Sequence, residues 1–239
     1  MTNRGDSKHL PQFGTVLADP PWQFMNRTGK MAPEHRRLHR YKTMKLSEIS
    51  ALPVRDVAAE QSHLYLWVPN ALLAEGLQVM KAWGFTYKTN IVWYKVRKDG
   101  GQDGRGVGFY FRNVTELLLF GIRGRLRTLA PGRREVNIVI TRKQEHSRKP
   151  GQVYDLIERC STGPFLELFA RSQRRGWTQW GDGVPKNGEL RKLRPMPFVV
   201  RPEEQERFEG QKALPGFLYA EGDRSAESVS AKRSGSVRK

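Results

Sequence analysis

One carboxylate, two prolines and an indole stand in a row at Asp19-Pro20-Pro21-Trp22, straight after an apolar run, Phe13 to Ala18. These groups, in this order, suit the methylation of an exocyclic amine on a nucleobase. Such an amine is a poor nucleophile because its lone pair is delocalised into the ring. A carboxylate and a fixed backbone carbonyl, each accepting one N–H, draw the nitrogen toward a tetrahedral, nucleophilic shape. Proline locks φ and donates no N–H, so Pro20 and Pro21 present their carbonyls rigidly. Trp22 offers a flat face on which a base can stack. No strong general base is needed, because the amine can lose its proton after the methyl has moved. Catalysis is then positioning and electrostatics. A strand running into a Pro-Pro turn with Trp22 in the core fits the same four residues, so context decides.

The elements that must hold such a group are legible as alternating patterns. Short apolar runs at 13–18, 64–68, 87–94, 116–121, 136–140, 164–169 and 176–180 read as strands. Residues 70–83 read as a helix, with Asn70 as N-cap, Leu73, Leu77 and Met80 on one stripe, and Gly84 as the stop. Residues 150–160 read as another, with Pro150 in the first turn and Val153, Leu156, Ile157 and Cys160 as its apolar face. Strands alternating with helices predict an α/β sheet of about seven strands with helices on both faces. In such sheets ligands sit beyond the carboxyl ends of the strands, near a topological switch point, which is where Asp19 falls.

Charge points to the partner. The 239 residues carry a net charge of +18, which favours a polyanion and above all nucleic acid. Residues 185–239 contribute only +4, and 95–149 alone contribute +9, so the basic surface belongs to the domain. Loop 23–45 is rich in Arg and Lys. Loop 97–113 interleaves Arg105 and Arg112 with Phe109, Tyr110 and Phe111, which suits phosphates and stacked bases; Phe109 and Phe111 could equally begin a strand and pack in the core. Cys160 is the only cysteine, so no intrachain disulfide forms. It is expected in the core. No apolar run approaches the roughly 20 residues of a membrane span, and residues 1–12 lack a signal-peptide core. The composition predicts a soluble, cytoplasmic protein. The five histidines are scattered and no metal site is expected.

Several blocks in register carry a resemblance: Leu17 to Trp22, Tyr41-Lys42-Thr43-Met44, Leu64 to Val68, Ile91 to Lys95, Thr115 to Gly121, Ser147-Arg148-Lys149-Pro150, Ile157-Glu158-Arg159, Leu166 to Arg171 and Trp180-Gly181-Asp182. Over roughly residues 13–183 the chain resembles the DPPW-type adenine methyltransferases. That family includes the catalytic subunit of the eukaryotic messenger-RNA adenosine methyltransferase and bacterial and phage DNA methyltransferases. The resemblance implies a Rossmann-like sheet in permuted order, the catalytic strand first and the cofactor strand last. It implies S-adenosylmethionine as cofactor. Asp19 then touches both the target amine and the cofactor's amino group, and Pro20 or Pro21 supplies the second acceptor. Lys149 pairs with the cofactor carboxylate. Arg171, Ser172, Gln173 and Arg174 form the ribose- and carboxylate-binding turn, and Asp182 and Gly183 make a further ribose and adenine contact. Tyr41 lies on a substrate-side loop, and Arg105 and Arg112 reach nucleic acid.

Two departures stand out. Gln173-Arg174 replaces a frequent His-Asn pair, and Asp182-Gly183 replaces Asn-Gln. In eukaryotic members an adenine-pocket segment precedes the catalytic strand; here only 12 residues do, Asp6 among them, and none is assigned that role. The expected organisation is a methyltransferase domain at 1–184 and a basic, Pro/Glu/Ser-rich extension at 185–239, its end (222–239) disordered by composition. The leading expectation is methylation of the adenine amine in DNA, without an obligate partner subunit. The same reaction on RNA, and an inactive nucleic-acid-binding scaffold, are the alternatives. Chemistry alone also allows the cytosine amine. A base stacked in a duplex must be flipped out, or the substrate must be single-stranded.

Overall fold

In the computed structural model, residues 12–23, 43–103, 110–142 and 149–181 are described. Tyr41, Arg105, Asp182, Gly183 and the expected extension at 185–239 lie outside them. Seven strands form one sheet: β1 (Phe13–Ala18), β2 (Ala58–Val68), β3 (Thr86–Val96), β4 (Thr115–Arg123), β5 (Ile138–Arg142), β6 (Phe165–Leu168) and β7 (Trp177–Trp180), in the order β5-β3-β4-β2-β1-β6-β7. Only β4 runs antiparallel to its neighbours; the remaining pairs are parallel. This is the expected Rossmann-like α/β sheet. β2 starts six residues before its apolar run: Ala58 already pairs with Phe13, and the register shifts before His63 meets Thr15, across a stretch that includes exposed Glu60 and Gln61.

Strands buried on both faces separate two cores. On one face α1 (Leu46–Ser50), α2 (Val54–Val57) and α3 (Leu73–Ala82) pack over Val16, Leu64, Leu66 and Leu168, with Trp83 fully buried between them. On the other face α4 (Gln152–Cys160) lays Val153, Leu156, Ile157 and Cys160 against Leu17, Tyr65, Leu118 and Phe120. Cys160 is thus a core residue. Burying these side chains is worth about 1.5–3 kcal/mol each before entropy is counted. α1 and α2 span five and four residues, too short for a helical period to show in sequence.

The expected cap at Asn70 is corrected. A single 3-10 turn, Asn70–Leu72, precedes α3, and Asn70 makes no cap bond. Its amide instead donates to Thr115 Oγ1 (3.0 Å) and the Thr115 carbonyl (3.2 Å), so it ties the end of β2 to the start of β4.

The chain leaves β1 toward β2 on one side and continues from β6 to β7 on the other, so the switch point lies between β1 and β6. The carboxyl ends of β1, β2, β3 and β6 share one sheet edge with the amino end of antiparallel β4. That edge collects Asp19, Lys95, Glu116 and Arg171.

Candidate active site

Asp19 leaves β1 with its N–H toward the Leu168 carbonyl (3.4 Å), at the mouth of the switch point. The two prolines then turn the chain. The Pro20 carbonyl accepts the Trp22 N–H (2.8 Å), and the Pro21 carbonyl accepts the Met44 N–H (2.9 Å). Each carbonyl oxygen retains a second lone pair. The bond to Met44, with a Trp22–Met44 bridge, fastens Met44 to the Pro-Pro turn beside Asp19.

Trp22 corrects the sequence expectation. It is 7% exposed, packed in the core under α1, and its indole N–H donates to the Trp67 carbonyl (2.9 Å). A ring with its faces packed has none to offer a base. Trp22 anchors the Asp-Pro-Pro turn from below.

Lys149 sits just before α4, and its ammonium lies 3.1 Å from Asp19 Oδ1 and 3.4 Å from Glu116 Oε2. Glu116 Oε1 in turn faces Lys95 Nζ at 3.4 Å. The result is an alternating row, Asp19, Lys149, Glu116, Lys95, along the sheet edge. Two indoles floor it: Lys149 lies 4.9 Å over Trp67 and Lys95 4.5 Å over Trp93, and the two rings meet edge to face. Burial disfavours the Lys149 charge, but Asp19 and Glu116 outweigh burial and hold its pKa above the ordinary lysine value. Arg171 pushes the other way, which places its charge near Lys149. Burial likewise works against the Glu116 charge, yet Lys149 and Lys95 hold its pKa below the usual carboxylate value.

A second buried network fixes the turn after β6. Glu167 accepts from Tyr154 Oη (2.6 Å) and from Gln179 Nε2 (2.5 Å). The Gln179 amide also donates to the Ser172 carbonyl (2.6 Å), and its oxygen accepts the Arg174 N–H (2.5 Å). One side chain of β7 thus pins the 169–176 turn at two points. The chain enters that turn through Phe169 at φ 63°, a left-handed conformation that a bulky residue adopts only when its surroundings impose it. Gly181 packs so closely on this turn that any Cβ there would collide with the Ala170 backbone. Burial, with Asp19 nearby, raises the Glu167 pKa against the hydrogen bonds from Tyr154 and Gln179.

The sequence-predicted residues are therefore not all brought to one place. Asp19, Pro20, Pro21, Lys149 and Arg171 come together at one sheet edge. Ser172 and Gln173 are exposed on the adjoining turn. Arg174 corrects the expectation: its guanidinium turns away to Asp155 (2.9 Å), Glu158 (3.0 Å) and the Tyr154 ring on α4, so it braces the turn from outside. Arg112 is exposed ahead of β4. Sequence reasoning missed Glu116, Lys95, Glu167, Tyr154 and Gln179. The one signal for Glu116 was a carboxylate heading the apolar run Leu117 to Phe120.

Chemically, this edge offers a carboxylate and two rigid carbonyls beside two cations. A zwitterionic amino-acid end fits that donor set: Asp19 suits its ammonium, and Lys149 or Arg171 its carboxylate. Among the described residues no helix is long and apolar enough to cross a membrane.

Comparison with known proteins gives a family and several relatives. Residues 13–183 match the family described as MT-A70. The type II methyltransferase M.MunI of Mycoplasma sp is 28% identical over 195 residues, which cover 74% of this chain and 79% of that protein. A putative N(6)-adenosine-methyltransferase MT-A70-like protein of Medicago truncatula is 31% identical over 180 residues, 72% of this chain. The N(6)-adenosine-methyltransferase catalytic subunit METTL3 of Homo sapiens is 28% identical over 169 residues, 70% of this chain. The chain spans about a quarter of the length of these two eukaryotic relatives, 26% and 27%.

Proposed function

The chain belongs to the MT-A70 methyltransferase family, and on that premise we propose that it transfers a methyl group from S-adenosylmethionine to the exocyclic amine of adenine in DNA. The observation that carries this reading is Asp19 at the switch point, followed by two rigid prolines and gripped by Lys149. When bound, S-adenosylmethionine supplies an electrophilic methyl. Asp19 accepts one N–H of the target amine, and the free lone pair of a proline carbonyl accepts the other. The nitrogen lone pair is thereby freed from the ring and aimed. Lys149 holds the Asp19 carboxylate in place, and Arg171 adds a cation for the cofactor carboxylate. The N–C bond forms as the methyl–sulfur bond breaks, the electron pair of that bond staying on sulfur; the amine proton then passes to water, so no strong base is required. The fixed dipoles need no reorganisation as charge develops.

DNA is preferred because the relative matched over most of its own length is named a type II methyltransferase. RNA is the second reading, favoured by relatives named N(6)-adenosine methyltransferases at 27–31% identity. The test is to incubate the full chain with methyl-labelled S-adenosylmethionine and matched DNA and RNA oligonucleotides, single-stranded and duplex. Digestion and mass spectrometry then identify the methylated base. N6-methyladenine, formed faster in DNA, is the expected product. Faster transfer to RNA makes the second reading correct, and methyl on the cytosine amine moves the target base. Nucleic-acid binding with no transfer to any substrate marks the chain as an inactive scaffold.

A further inference from the structure

Tyr110 is 95% exposed and Phe111 is 85% exposed, the two most exposed large hydrophobic side chains among the described residues. This excludes the packed-core role for Phe111 and raises the question of what two adjacent bare rings do. Scattered apolar residues on a surface need no explanation, but adjacent aromatics beside a cleft do. Their place in the fold is specific. Residues 110–114 lead into β4, whose amino end lies on the Asp19 edge. The segment's foot is fastened: the Val114 carbonyl accepts the Lys95 N–H (2.9 Å), and Asn113 meets the Asn70 amide (3.4 Å). From Phe111 to Glu116 is five residues, at most about 18 Å of extended chain. Exposed cations surround the same edge: Arg112 next in sequence, and Lys98 and Arg142 at the ends of β3 and β5. Arg142 Nη2 is held on the Lys98 carbonyl at 3.1 Å.

We propose that Tyr110 and Phe111 form a stacking platform for unpaired bases flanking the target, with Arg112, Lys98 and Arg142 on the adjoining phosphates. This deepens the nucleic-acid methyltransferase reading and rests on it. The occupant is a single-stranded stretch of nucleic acid. A π-face is common to every base, so the platform grips strand without reading sequence. Positive charge around bare rings fits phosphate-linked bases and opposes a second copy of this basic chain. Adding roughly 7 Å from Glu116 across Lys149 to Asp19, and at about 3.4 Å per stacked step, the platform lies within roughly seven nucleotides of the methylated base.

The test uses single-stranded 16-mers, as DNA and as RNA, with one central adenine and 5-iodouracil stepped outward from it. With the full chain, photocrosslinks to Tyr110 or Phe111 are expected within about seven positions of the adenine. The double variant Tyr110→Ala/Phe111→Ala should lose those crosslinks and bind about 5- to 150-fold more weakly per lost stack. Its melting temperature should not change. Tyr110→Phe/Phe111→Tyr should bind as wild type does, since it keeps both rings. Affinity within twofold of wild type, with crosslinks elsewhere, overturns the proposal. So does a double variant that binds strands normally but loses self-association in sedimentation, which would assign the rings to a second copy. The strand arms need no turnover. Stacking without methyl transfer therefore defeats the proposed reaction and leaves the platform, and methyl transfer without stacking does the reverse.

Discussion

Lys149 Nζ lies 3.1 Å from Asp19 Oδ1, so the carboxylate at the heart of the site is held by a lysine 130 residues away in sequence. The same ammonium faces Glu116, and the three charges act as a unit. Removing Asp19 should therefore affect turnover far more than binding. A hydrogen bond to a charged group is worth about 1.5–3 kcal/mol, so its loss from the transition state slows reaction roughly tenfold to more than a hundredfold. Asp19→Ala is expected to slow methyl transfer by at least that factor in single-turnover assays, while cofactor affinity by calorimetry falls only modestly. Lys149→Met should also impair transfer, because it leaves Asp19 and Glu116 without the cation between them. Near-full turnover by Asp19→Ala would remove the central assignment.

The row of charges also sets a pH dependence. Lys149 and Lys95 hold Glu116 below the ordinary carboxylate value against the cost of burial. A lowered folded pKa contributes stability above the unfolded value of about 4.3, and that stability is lost as pH falls through the folded one. Lys149 is shifted upward, so its share is present below the ordinary lysine value of about 10.4 and is lost as pH rises beyond it. The combined contribution of these two groups should be flat between these limits and fall on both sides. Glu116→Gln should shallow the acid limb selectively. An unchanged acid limb would show that the Glu116 charge is not coupled to folding.

The sheet was legible because buried strands leave apolar runs, and α4 because Val153, Leu156, Ile157 and Cys160 keep a helical stripe. Asp19 was legible because a carboxylate before two prolines has few structural uses. Glu116 and Lys95 were not, since one residue at the end of an apolar run says nothing about the strand opposite. Their meaning comes from the antiparallel pairing that sets Trp93 against Glu116. Trp22 was misread for a related reason. An aromatic after a turn looks the same in sequence whether it faces solvent or inserts beneath its own loop.

Trp22 as an anchor has its own consequence. Trp22→Phe keeps an aromatic ring, though a smaller one, and leaves the buried Trp67 carbonyl without its indole donor. An unsatisfied buried group costs about 1–3 kcal/mol, or roughly 2–12 °C in melting temperature for a domain of this size. Nucleic-acid affinity per folded molecule should stay within about twofold. A stacking role predicts the opposite pattern, unchanged melting and selectively weaker binding.

Binding to nucleic acid should be strongly salt-dependent, given +14 on residues 1–184. For duplex DNA, log K falls with log salt at about −0.9 per neutralised phosphate. Arg112→Ala should reduce that slope by about one, with little change in melting temperature, in anisotropy titrations between low and physiological salt. A flat titration would mean the basic surface does not meet phosphates.

Glu167 has the opposite pH sign from Glu116. Burial and the nearby Asp19 raise its pKa, so its contribution is greatest below the unfolded value and is lost as pH rises through the folded one. Glutamine resembles the protonated acid. Its oxygen can accept from Gln179, and its amide can donate to Tyr154 Oη, which becomes the acceptor. Glu167→Gln should therefore melt close to wild type in acid and progressively above it as pH rises from about 4 toward 7. Gln179→Leu is the harsher change, because Glu167 Oε2, the Ser172 carbonyl and the Arg174 N–H lose a partner together. It should loosen the turn carrying Arg171 and weaken S-adenosylmethionine binding by calorimetry, while Glu167→Gln leaves that binding intact. Equal loss of cofactor in both variants would place the effect in the Glu167 charge instead of the geometry of the turn.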